Sequence, residues 1–199
     1  MLSGVARLAT LGRLELLGCA LENFSPLVAL PQLEVLVLSQ SYGTDTGINP
    51  LVRLPSPMPN LRALALPRDT PPPWPAYPAL EQLACSGSVR MPPMAEHLRK
   101  CATGGRLRWL SIASYHWLPA RTVAETLAAN PSLEVVEVGE QAAADKNARD
   151  STVWRFNARH LADCLTTWTG HEMANLPTAD IRRWGASGPA VTAKSLLDF

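Results

Sequence analysis

The sequence predicts an α/β chain built as a solenoid. Its core is a curved parallel sheet of about six strands, with short helices or irregular returns on the convex side and a C-terminal helical cap. Three observations predict it. One eight-residue phrase recurs six times along the chain. Four of the six copies open with proline, in a chain where 18 of 199 residues are proline. After residue 141 the phrase stops and a helical periodicity takes its place.

The copies are GRLELLGC from Gly12, PQLEVLVL from Pro31, PNLRALAL from Pro59, PALEQLAC from Pro78, GRLRWLSI from Gly105 and PSLEVVEV from Pro131. They share the consensus [PG]-x-L-[ER]-x-[LV]-x-[LCIV]. The anchoring leucines, Leu14, Leu33, Leu61, Leu80, Leu107 and Leu133, are spaced by 19, 28, 19, 27 and 26 residues. Within each copy, alternate residues after the anchor are apolar, the period of a half-buried strand. A single repeat cannot bury its own apolar face, so the copies must stack into one core.

The returns between strands also repeat. Ser25 to Pro31 matches Asn49 to Pro55, each with a capping Ser or Asn, a proline at the first helical position and a second proline that stops the helix. Met91, Met94, Leu98 and Cys101 fall at helical spacing, and Thr122 with Glu125 forms a capping box ahead of Leu127. The proline-rich run from Asp69 to Pro78 reads as an extended return, because proline forbids a helix there.

Together these residues resemble a leucine-rich-repeat domain of the irregular, helix-returning type, over residues 5–141. The P-x-L-[ER]-x-L phrasing with proline-rich returns is also similar to the repeat regions of fungal-type F-box proteins. Residues 1–11 read as the returning helix of an earlier repeat and not as an F-box, so the chain is either a truncated relative or a short solenoid in its own right. Where the family carries a regular asparagine after each strand, this chain has Glu22, Ser41, Asp69, Ser88, Tyr115 and Gln141.

The residues between the inward leucines are expected on the concave face. One ladder is Leu16, Val35, Ala63, Gln82, Trp109 and Val135; its neighbour is Gly18, Val37, Ala65, Ala84, Ser111 and Glu137. A mostly small or apolar strip with one large aromatic is what a protein or peptide partner requires. The candidate partner-binding residues are therefore Val35, Val37, Ala63, Ala65, Gln82, Trp109, Ser111 and Glu137. Tyr115, His116 and Trp117 lie just beyond the fifth strand.

With 18 Lys plus Arg against 17 Asp plus Glu, the net charge is +1. That balance argues against generic binding to nucleic acid or to acidic membranes, and no apolar run is long enough to span a bilayer. Four cysteines without a C-x-x-C pair point to reduced thiols, hence to the cytoplasm or nucleus. The chain has no Gly-rich phosphate loop, no H-E-x-x-H and no G-x-S-x-G. No cofactor or metal is called for, and no enzyme is expected.

The segment 142–199 is read separately from the solenoid of 1–141. After a polar connection, Trp154, Leu161, Cys164, Leu165 and Trp168 recur at spacings of one helical face, predicting a four-turn cap helix that ends at Gly170. His160 and Cys164 share a face at i and i+4 and could supply two metal ligands or a thiol and its base. The functional expectation is a protein-interaction scaffold whose concave face holds a protein or peptide. The F-box resemblance implies an alternative, the substrate-recognition part of a ubiquitin ligase adaptor, with ligase subunits as partners. A third reading is a metal- or thiol-dependent enzyme built on His160 and Cys164.

Overall fold

A computed structural model of the chain describes residues 4, 7–16, 25–38, 58–66, 77–86, 106–113, 124, 127–128, 130–140 and 152–167. They form one seven-stranded sheet whose spatial order is the order of the chain. The strands are β1 (Arg13–Leu16), β2 (Val35–Leu38), β3 (Ala63–Leu66), β4 (Gln82–Ser86), β5 (Trp109–Ala113), β6 (Val135–Glu140) and β7 (Thr152–Asn157). Every neighbouring pair from β1 to β6 is parallel, while β7 runs antiparallel to β6. An α-helix, α1 (Ala158–Thr167), follows β7 directly. The architecture is α/β with a mostly parallel sheet.

The phrase explains this arrangement position by position. Its first two residues are the corners of a tight turn: the N–H of Leu33 donates to the carbonyl of Leu30, and Leu61, Leu80 and Leu133 repeat the bond to Met58, Tyr77 and Asn130. Pro31, Pro59, Pro78 and Pro131 each hold the first corner, where proline's fixed φ is already correct. The residues that start these four turns, Leu30, Met58, Tyr77 and Asn130, are all buried.

The Glu or Arg of the phrase then carries the step between strands. Its carbonyl accepts two N–H groups from the next repeat: Glu34 from Arg62 and Ala63, Arg62 from Glu81 and Gln82, Glu81 from Arg108 and Trp109, and Arg108 from Glu134 and Val135, at 2.8–3.1 Å. Both lone pairs of each carbonyl are thereby used, so the strand entry leaves no buried acceptor unmet. The side chains alternate in sign along the same edge. Arg62 reaches both carboxylate oxygens of Glu81 at 3.0 and 3.1 Å, and Arg108 meets Glu134 at 3.3 Å. Polar side chains tie the turns as well: Asn60 Nδ2 donates to the Pro31 carbonyl, and Ser132 Oγ to that of Leu107.

The core lies on one face of the sheet. Leu36, Leu64, Leu83, Leu110, Val136 and Phe156 occupy equivalent register positions from β2 to β7, and all are buried. The anchors Leu33, Leu61, Leu80, Leu107 and Leu133 form a second buried row. The return at Ser25–Ala29 is a 3-10 helix that buries Leu27 and ends before Pro31, as its capping pattern predicts. Ala124, Leu127 and Ala128 are helical, downstream of the Thr122 capping box. The returns at 49–55, 69–76 and 91–101, the six positions set against the family asparagine, residues 115–117 and residues 168–199 lie outside the described residues.

Two expectations are corrected. In the first repeat the anchor is Leu11 and not Leu14: Arg13 pairs in register with Val35, and Leu11 N–H closes the turn onto the Leu8 carbonyl. The copy therefore begins at Ala9, three residues before Gly12. An odd shift turns every strand side chain to the other face, so Leu16 packs against the core, while Arg13 and Glu15 take the two ladder positions. The alternation Arg-Leu-Glu-Leu decides this, because the two charged side chains need water and each other.

The predicted four-turn cap helix is also shorter. Residues Thr152–Asn157 form β7, and the helix begins only at Ala158. Thr152, Val153, Trp154 and Phe156 are β-branched or aromatic, types that favour a strand beside the open edge of β6. Asn157 ends the strand and caps the helix, its Oδ1 accepting the N–H groups of Arg159 and His160 at 3.1 and 3.2 Å. Because β7 pairs with β6, residue 141 falls between two strands of a single sheet.

Candidate functional site

The two ladders on the face opposite the leucines differ in depth. The first runs in register through Arg13, Val35, Ala63, Gln82, Trp109 and Val135, to Asn157 of β7. Val35, Gln82, Trp109 and Val135 are half-buried, and Ala63 is buried. The second runs through Glu15, Val37, Ala65, Ala84, Ser111 and Glu137. There Val37, Ser111 and Glu137 retain only 1–2% of their surface. Ala65 is half-buried, and Gly18 lies outside the described residues.

This burial redraws the predicted strip. Val37, Ala63, Ser111 and Glu137 offer almost no area for a partner to cover, and a group already removed from water gains nothing by contact. The accessible positions are Val35, Ala65, Gln82, Trp109 and Val135. Val35, Ala65, Gln82 and Trp109 line one shallow apolar seam that has no room for a water molecule. Such a seam encloses no small molecule and offers only an apolar surface for contact.

A larger cleft, of about 610 Å³, lies where the chain enters β4, β5 and β6. Its charged lining is Glu81, Arg106, Arg108, Glu134 and Arg159, with Asn157 beside them. Sequence reasoning passed over it, although its signal was present: the [ER] position of the phrase alternates in sign as Glu34, Arg62, Glu81, Arg108 and Glu134. In-register stacking turns that alternation into a row of opposite charges about one strand spacing apart. Arg159 extends the row from α1, which no repeat pattern could have placed.

The thiol and imidazole expected on one helix face do meet. Cys164 Sγ lies 3.7 Å from His160 Nε2, with His160 exposed and Cys164 half-buried. On α1, Ala158, Leu161 and Ala162 pack against the core. Among the described residues no set of three His, Cys, Asp or Glu side chains is placed to hold a metal ion. No described helix is long and apolar enough to cross a membrane.

No protein-family model, no curated protein and no solved structure matches the chain.

Proposed function

We propose that the chain is a leucine-rich-repeat solenoid, capped at its C-terminal end by β7 and α1, that serves as a protein-interaction scaffold in the cytoplasm or nucleus. Its partner is a protein or peptide laid across the first ladder at Val35, Gln82, Trp109 and Val135, with Ala65 of the second ladder beside them. The observation that carries this reading is the setting of Trp109. It stands half-buried in register between Gln82 and Val135 and lines the same seam as Val35 and Ala65. A large aromatic held by its neighbours has little entropy left to lose and much apolar area to offer.

The test compares wild-type and Trp109→Glu chains, both first shown to melt cooperatively, in capture from native cell extract followed by titration of the purified partner. The expected result is a partner whose binding weakens by about 2 kcal/mol or more in the variant. Identical capture by both chains would remove the ladder as the site. Ubiquitin ligase subunits among the partners lost with Trp109 would identify the chain as the substrate-recognition part of an adaptor.

A further inference from the structure

The cleft at the entries of β4, β5 and β6 carries a charge imbalance that the apolar ladder does not use. Glu81 meets one Arg62 nitrogen with both of its carboxylate oxygens, and Glu134 is paired with Arg108. Arg106 and Arg159 line the same cleft and make no ion pair among the described residues. Two guanidinium charges are thus left over in a concave, solvent-open site, where the surrounding protein focuses their field outward. The Arg108–Glu134 pair is itself two-thirds exposed on both sides, so in water it is weak and can yield Arg108 to an incoming anion.

We propose that this cleft is a second binding site, independent of the Trp109 ladder, for an acidic polypeptide segment whose carboxylates pair with Arg106 and Arg159. The guanidinium fork matches a carboxylate in two parallel hydrogen bonds, which a Lys would not. Among the described residues the lining has no aromatic side chain on which a nucleobase could stack, and it is too polar to enclose a compact apolar ligand. The surplus of two positive charges matches two acidic side chains of an extended segment. Asn157, whose Oδ1 is committed to the α1 cap, keeps its Nδ2 donors for that segment's backbone.

The experiment is fluorescence anisotropy of the full chain with a labelled glutamate-rich peptide, its glutamine counterpart and a single-stranded oligonucleotide. Variants are the double Arg106→Glu/Arg159→Glu, and Trp109→Glu as the control for the ladder. Both arginines lie outside the core, and a thermal melt of the double variant establishes that it is folded. The expected result is saturable binding of the glutamate peptide, weakened by salt, weakened about tenfold by the double reversal and unchanged by Trp109→Glu. Equal binding of the glutamine peptide, tighter binding of the oligonucleotide, or indifference to the double reversal would each overturn the proposal. Loss of binding in Trp109→Glu alone would also overturn it, by moving the acidic segment to the ladder.

Discussion

The parallel stack from β2 to β6 and the antiparallel end made by β7 and α1 solve the same problem by different means. In the stack, the Glu or Arg at each strand entry accepts two N–H groups from the next repeat, and each phrase contributes a leucine anchor and a charge of alternating sign. At the end the phrase is gone, yet Glu134 still has its carbonyl met, now by the N–H of Ala158 at the start of α1. The core rows likewise continue into Phe156, Ala158 and Leu161 without a leucine phrase to supply them. What is preserved across the junction is the satisfaction of backbone groups and the burial of apolar rows. Strand direction and sequence motif are not.

The largest effect that tests this contrast is loss of a leucine in the stack. Leu110 is 1% exposed at the centre of its core row, so Leu110→Ala is expected to cost about 3 kcal/mol in a single cooperative denaturant transition. A second transition would show that the stack does not unfold as one unit. A smaller effect belongs to the end. Asn157→Ala removes the cap acceptor for two N–H groups and is expected to cost about 1 kcal/mol. Native-state hydrogen exchange should place that loss in α1, with the β2–β5 amides unchanged; uniform acceleration across the sheet would erase the contrast. The smallest belongs to the charged edge. Arg62 is half exposed, so Arg62→Ala is expected to cost under about 1 kcal/mol, a difference that shrinks as salt is added. A larger, salt-independent loss would mean that the edge holds the register and does not merely decorate it.

Much of this was open to a reader of the sequence, for identifiable reasons. Parallel register from β2 to β6 followed from repetition, since equal phrases can stack only with equal positions side by side. The same repetition makes Val35, Ala63, Gln82, Trp109 and Val135 neighbours in one ladder. The first copy is ambiguous in sequence because two apolar triplets overlap there, Leu11-Leu14-Leu16 and Leu14-Leu17-Cys19. Only the turn at Leu8 and the pairing of Arg13 with Val35 choose between them. The end is ambiguous in the same way, because Trp154, Leu161, Cys164 and Leu165 fit a helical face while Thr152 to Phe156 fit a strand equally well. The open edge of β6 settled that choice, since its unpaired backbone groups gain partners only if the next segment is extended.

By itself, then, the sequence determined the number of phrases, their shared register, the turn at each proline, the leucine rows and the alternating charges, because each is a local property repeated. The tertiary structure decided the depth of the second ladder, the gathering of Arg106, Arg108 and Arg159 into one cleft, and the reversal of β7. Burial, clefts and edge pairing depend on which segments meet in space, and a pattern that repeats every two dozen residues carries no information about neighbours that lie beyond the repeat.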